Sequence, residues 1–170
     1  MIRIRPLTRD DGPAFKALRL EALQLASPAF SSAYEDEVRQ SDETFFARIP
    51  APPSAIFGAF DGETLVAMTG LMIQAGRKQR HKGMIWGVYV TPTARGQGLA
   101  KRLLDAAIAQ ARTVDGVELL QLGVGVDNEP ATRLYAAAGF EIYGIERKAL
   151  KLADGRYVDE ELRVLELGRG

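Results

Sequence analysis

Arg95-Gly96-Gln97-Gly98-Leu99-Ala100 links an apolar run ending at Val90 to an alanine- and leucine-rich stretch starting near Leu99, and its residue types and spacing suit anion chemistry. Glycine lets a backbone turn tightly and approach a ligand closely, and the unpaired amides at a helix start point outward as donors. A phosphate or pyrophosphate is the natural guest. Lys101 and Arg102 fall in the first helical turn, where positive side chains oppose the helix dipole by roughly 0.3 to 1 kcal/mol each, and a bound polyanion reverses that penalty. The plainer alternative is a glycine turn with two solvated cations beyond it. Two competing phosphate readings fall. A dinucleotide fingerprint needs a third glycine where Lys101 stands and an acid ending the following strand, whereas Glu118 begins it. No glycine-lysine-serine or glycine-lysine-threonine triplet occurs, which removes the phosphate loop of nucleotide hydrolases.

Other reactive groups are few. The 170 residues include no cysteine, which excludes disulfides, thiolate metal sites and cysteine nucleophiles, and a single histidine, His81, leaves little for a histidine-based metal site. The carboxylates Glu21, Glu35, Asp36, Glu37 and Glu118 are available as bases, though most such residues are solvated helix positions. Twenty-two basic residues balance 22 acidic ones, so no global field draws the chain to nucleic acid or an anionic membrane. Arg77, Lys78, Arg80, His81 and Lys82 form a local basic connection. It lacks interleaved aromatics and reads as a solvated loop rather than a nucleic-acid or acidic-partner module, and its charges would depress the imidazolium of His81. No apolar run approaches the roughly 18 to 20 residues of a membrane span, and MIRIRPLTRDD lacks a signal-peptide segment, so a soluble cytoplasmic protein is expected.

The elements that must position the glycine turn follow from periodicity. Ile2 and Ile4 alternate with Arg3 and Arg5 as a short strand. Asp10, Asp11 and Pro13 open a helix in which Phe15, Leu18, Ala22 and Leu25 share a face. Tyr34 to Arg48 reads as a second, more polar helix restarting at Ser41. Ala55 to Phe60, the turn Asp61-Gly62, Thr64 to Ile73 and Met84 to Val90 predict an antiparallel three-stranded meander. Leu99 to Ala111 is helical. Val117 to Val126 reads as a strand covered on both faces. Asn128, Pro130 and Gly139 frame a short helix, and Phe140 to Leu152 with Tyr157 to Leu167 make a hairpin around Asp154-Gly155. The order β-α-α-β-β-β-α-β-α-β-β describes one mixed α/β domain over 1–170, with helices on both faces of a central sheet.

These segments resemble the GNAT acetyltransferase superfamily. Arg95, Gly98 and Ala100 fill the fixed places of its acyl-coenzyme A loop: Gln or Arg, two residues, Gly, one residue, Gly or Ala. Downstream, Asn128, Ala131, Leu134, Tyr135, Gly139 and Phe140 are similar to the family's Asn, Leu-Tyr and Gly-Phe helix. The element order resembles the family over nearly the whole chain, least so before Pro53. The resemblance implies a mostly antiparallel sheet in which Met84–Val90 and Val117–Val126 splay apart around a thioester. It also implies that the backbone of Val88 and Val90 pairs with the pantetheine arm. The amides of Arg95, Gly96, Gln97, Gly98 and Ala100 would hold the pyrophosphate beside Lys101, Asn128 would contact the arm, and Tyr135 would face the sulfur. Simpler roles stand beside these: Asn128 as a helix cap, and Tyr135 as packing on the face it shares with Ala131 and Ala138.

The implied reaction is acetyl transfer from acetyl-coenzyme A, the cosubstrate, with no metal. Removing a proton from a lysine-like amine of pKa near 10.4 at pH 7 costs roughly 4.6 kcal/mol, and from an α-amine only about 1 kcal/mol. A backbone amide near Val88 would meet the oxyanion. Tyr135 would assist the leaving thiolate as a hydrogen-bond donor. Glu35 lies near Phe30 to Tyr34, in the region resembling the family's variable acceptor wall, and is the expected base. The acceptor is open among amino acids, polyamines, aminoglycosides, herbicide-like amines and protein N-termini. A small primary amine is preferred because Ile145 to Leu165 resembles the tail of members acting on small molecules, with Arg77 and Arg80 favouring an acidic acceptor should their loop reach the cleft. A coenzyme A-binding sensor without catalysis is the alternative. A homodimer is common for such resemblances.

Overall fold

The computed structural model describes residues 1–168, so the last two positions of the expected domain lie outside the described ones. Seven strands, β1 (Ile2–Pro6), β2 (Ala55–Asp61), β3 (Thr64–Ile73), β4 (Lys82–Val90), β5 (Leu119–Gly125), β6 (Glu141–Lys151) and β7 (Tyr157–Glu166), form one sheet in the spatial order β1-β2-β3-β4-β5-β7-β6. Neighbours run antiparallel except β4 and β5, which are parallel. The helices are α1 (Gly12–Leu25), α2 (Tyr34–Glu37), α3 (Asp42–Ala47), α4 (Leu99–Thr113) and α5 (Glu129–Ala137). The meander, the final hairpin and helices on both faces all appear as expected.

The long helices fold because each carries one apolar stripe. On α4, Leu99, Leu103, Leu104, Ala107, Ile108 and Ala111 are buried against a sheet face that includes Ala59, Leu71, Ile85 and Leu120. Truncating one of these leucines to alanine removes about 2 to 5 kcal/mol. On α1, Phe15, Leu18 and Ala22 cover the opposite face at Ile56, Phe60, Met68 and Tyr89.

Two expectations need refinement. The restart expected at Ser41 is present, its hydroxyl accepting the Thr44 amide at 3.2 Å, but residues 38–41 leave the helix altogether, so the stretch is two short helices. Glu37 ends the first of them and turns inward to Arg19 on α1, at 3.0 and 3.1 Å, with Arg48 at 3.2 Å. Burial works to raise the Glu37 pKa, but the two guanidinium groups outweigh it and hold the carboxyl below its ordinary range. The second, a correction, concerns β5, which is covered on one face only. Leu120, Leu122 and Val124 are buried toward α4, whereas Leu119, Gln121, Gly123 and Gly125 face the other way without full cover. The strands covered on both sides are β2, buried from Ala55 to Phe60, and β3, buried from Leu65 to Leu71.

Candidate active site

The sheet is open at its centre. Ladder pairing joins β4 to β5 only at Lys82–Leu119, Gly83–Leu120 and Met84–Gln121. Past that point each strand follows its other neighbour. β5 stays paired to β7 from Leu119 to Gly125, and β4 stays with β3 through a register shift around Gly87, whose φ is +64°. Such a bulge bends its strand and raises the local twist. It also resets the alternation, so that Ile85, Val88 and Val90 pack on the α4 side while Trp86 and Tyr89 pack on the α1 side. The β5-facing main chain from Ile85 to Val90 is left without a strand partner.

The glycine turn closes one end of this gap. After a single 3-10 turn at Pro92–Ala94, Gly96 and Gly98 adopt φ of +80° and +70°, left-handed values that glycine takes without strain. A Cβ at either position would meet nothing within 4 Å, so open space surrounds both. Arg95 Nε donates to the Val90 carbonyl at 3.2 Å and ties the turn to the strand end. The first backbone bond of α4 runs from the Arg102 amide to the Gly98 carbonyl, and among the described residues no hydrogen bond uses the amides of Gly96 to Lys101. Convergent donors at a helix start, beside open space, form an anion site. Lys101 is exposed and paired with Asp105 at 2.6 Å, so its ammonium is shared along the helix.

Asn128 caps α5 and Tyr135 stands within it. The Asn128 Oδ1 accepts the Ala131 amide at 3.3 Å, so the residue caps the helix, and it also lines a cavity of about 600 Å³ with Ala26, Ala29, Gly125 and Arg156. Tyr135 is buried on the α4 side, edge-on to Phe140 at 5.9 Å, and burial pushes its hydroxyl up to about 12. Its observed contacts are those of core packing.

Glu35 stands exposed on α2 and lines a second cavity of about 740 Å³, bounded by Ser31, Tyr34 and Lys151. Both cavities lie where residues 26–35 face the β6–β7 turn, on the α1 side of the sheet. The basic connection Arg77–Lys82 precedes β4, whereas the glycine turn follows it. At about 3.3 Å per residue, the length of β4 separates them by roughly 30 Å, and so Arg77 and Arg80 do not reach the cavities. The His81 carbonyl instead accepts the Glu118 and Leu119 amides and seals the closed end of the gap.

Sequence reasoning named Glu21 as an available base without its partners, and missed Glu160 altogether. Glu21 accepts the Tyr89 hydroxyl at 2.9 Å and the Thr91 hydroxyl at 2.5 Å, and burial together with this carboxylate pushes Tyr89 up to about 12. Glu160 on β7 faces Gly125 across the ladder, and burial, with a smaller contribution from Glu146, raises its pKa. Only the paired glycines at positions 123 and 125 hinted at an opening there.

Comparison with known proteins follows the same lines. Residues 19–140 match the Acetyltransferase (GNAT) family. An N-alpha-acetyltransferase, RimI of Mycobacterium tuberculosis, is 30% identical over 109 residues, covering 64% of this chain and 66% of that protein's length. The L-amino acid N-acetyltransferase AaaT of Escherichia coli is 29% identical over 121 residues, covering 70% of this chain and 73% of that protein. Among solved structures, YncA from Salmonella typhimurium, solved with its cofactor acetyl-CoA, shares the fold with a TM-score of 0.85 at 19% identity, over 100% of this chain and 96% of that one.

Proposed function

This chain belongs to the GNAT acetyltransferase family, and from that membership we propose that it transfers an acetyl group from acetyl-CoA to the primary amine of a small molecule by direct attack on the thioester. The observation that carries the reading is the unpaired main chain of β4 running into a turn of unbonded amides. In this scheme the backbone of Val88 and Val90 binds the pantetheine arm as an added strand would, and the amides of Gly96 through Ala100 hold the pyrophosphate, with Lys101 at its edge. The Arg95 amide, expected among them, is instead taken by the Pro92 carbonyl at 3.3 Å. Asn128 offers its side-chain amide group to the arm from the cap of α5. A backbone amide near Val88 meets the oxyanion, and Tyr135 donates to the departing sulfur.

The acceptor enters from the α1 side, through the two cavities between residues 26–35 and the β6–β7 turn. Glu35 sits on that wall and contacts it. An α-amine is favoured among acceptors because the names of both relatives specify one, and because its deprotonation at pH 7 costs only about 1 kcal/mol. Among the described residues no helix is long and apolar enough to cross a membrane, and no cluster of metal-ligating side chains occurs. We place the enzyme in the cytoplasm, acting on a free small molecule without nucleic acid or membrane. We further assign it as a homodimer, since the edge strand β6 leaves Ile142, Tyr143 and Ile145 half exposed.

Thiol release from acetyl-CoA, followed over amino acids, polyamines, other small amines and peptide N-termini, tests the proposal. Release that depends on a small amine is the expected result. Turnover confined to peptides would move the acceptor to a protein N-terminus, and thermal stabilisation by coenzyme A without turnover would make the chain a sensor.

A further inference from the structure

We propose that Glu160 is the general base that accepts the proton of the acceptor amine. The assignment rests on the acetyl-transfer reading above and deepens it. It starts from the register of three strands: Glu160 on β7 lies opposite Gly125 of β5 on one side and Glu146 of β6 on the other. Because Leu120, Leu122 and Val124 point toward α4, Gly123 and Gly125 present the opposite face of β5. The carboxylate of Glu160 leans across that face, and its Oε1 lies 3.3 Å from where a Cβ on Gly123 would stand. Leaning over β5 from β7 carries the carboxylate toward β4 and the open gap, since β5 lies between them in the sheet. Gly125, its partner in register, lines the cavity that receives the acceptor. The missing side chain of Gly123 thus leaves the space that the carboxylate fills, while Val158 borders Gly125 beside it.

The state of the group suits the task. Glu21, Glu37 and Asp11 are each held by donors, whereas among the described residues Glu160 has no hydrogen bond or ion pair. It is half-buried, the facing groups on β5 are glycines, and the one charge facing it from β6 is Glu146, which raises its proton affinity further. The connection at Ala26, Pro28 and Ala29 brings no charge to the cavity beside it, and Asp127 and Arg156 are its charged lining groups. Tyr135 belongs to the core on the other side of the sheet. Base and thiolate donor therefore flank the gap from opposite faces, so the amine adds from one side while sulfur leaves toward the other.

The step balances as follows. The acceptor ammonium gives one proton to Glu160, which passes it to water in the cavity. The freed nitrogen lone pair forms the bond to the thioester carbon, the carbon–sulfur electron pair leaves with sulfur, and the second nitrogen proton ends on the thiolate through the Tyr135 hydroxyl or water. The products are the N-acetyl amide, coenzyme A thiol and one released proton.

The test compares full-length Glu160→Gln and Glu160→Ala with the wild-type chain, using the best small amine from the panel. Expected for Glu160→Gln is a fall in kcat on the order of 10²-fold or more, the usual share of general base catalysis, with KM for acetyl-CoA and thermal stabilisation by coenzyme A unchanged. The acid limb of the kcat/KM profile, where wild-type activity rises as Glu160 loses its proton, should disappear. In Glu160→Ala, added formate should restore turnover, a result that a purely structural role does not produce. Wild-type kcat and an intact acid limb in Glu160→Gln, or no rescue of a folded Glu160→Ala, would overturn the assignment alone. A wild-type chain inert toward every amine would overturn acetyl transfer itself and the base with it.

Discussion

Tyr135→Phe isolates the leaving-group half of the reaction. The side chain is buried, its hydroxyl has no hydrogen-bond partner among the described residues and is not among the fully enclosed unpaired polar atoms, and burial of the ring pushes its pKa up to about 12. Against a thiol of pKa near 8.5 the gap is about 3.5, and at 1.36 kcal/mol per pKa unit complete proton transfer from Tyr135 to thiolate is uphill by about 4.8 kcal/mol. Tyr135 therefore stabilises the developing thiolate by donating a hydrogen bond, with the proton delivered late. A hydrogen bond to a charged group contributes roughly 1.5 to 3 kcal/mol, so the variant should lose about 10- to 150-fold in kcat. Acetyl-CoA binding should hold, because the arm is gripped by backbone. Fold stability should hold, because the hydroxyl has no hydrogen bond among the described residues to lose. The wild-type kcat should also show no basic limb from this residue up to the alkaline limit of the protein. Steady-state thiol release across pH, beside a denaturation curve for each variant, reads all three quantities. An unchanged kcat in Tyr135→Phe, or a basic limb near pH 8 to 9 that the variant removes, would refute the reasoning.

Gly98→Val forces a β-branched residue into φ of +70°, and at roughly 1 to 2 kcal/mol of backbone cost the turn should open and coenzyme A affinity should drop by tenfold or more in calorimetry. Gly98→Asn, which tolerates that backbone, should lose less. Glu37→Gln leaves Arg19 buried without its counterion and should cost about 3 to 5 kcal/mol in urea unfolding, far more than an exposed pair such as Lys101–Asp105 would lose. Arg5 holds the Asp11 carboxyl down to about 2, so this carboxylate's stabilisation is full above pH 4 and is lost as pH falls toward 2. Asp11→Asn should flatten that part of the melting-temperature profile.

Local signals exposed the parts of the site that local chemistry determines. Gly96, Gly98 and the apolar stripe of α4 announce a strand, a tight turn and a helix start within one short segment, and Asn128 with Pro130 announces the next helix. What escaped depends on register between distant segments. The paired glycines at 123 and 125 sit in an otherwise β-type apolar run, and their missing side chains concealed that one face of β5 is uncovered. Glu160 acquires its position only through the pairing of β7 with β5, within a hairpin whose β6 side carries two register shifts, at Ile142/Gly144 and Glu146/Leu150. Likewise the inward turn of Glu37 depends on Arg19, 18 residues away, which no helical periodicity encodes. The basic loop shows the reverse error: its charge density drew attention, while its place in the topology puts it beside the closed end of the gap.

The three ladder pairs between β4 and β5 make the molecule two leaves hinged on a short seam, one built from β1 to β4 and the other from β5 to β7. A thioester nucleotide bound in the opening as proposed would act as mortar for that seam as well as reagent. By mass action, occupancy at a hundredfold excess over the dissociation constant adds about 2.7 kcal/mol to the folded state. The supply of acetyl donor would then govern how long each copy withstands proteolysis, so that abundance and activity rise and fall on one metabolic signal.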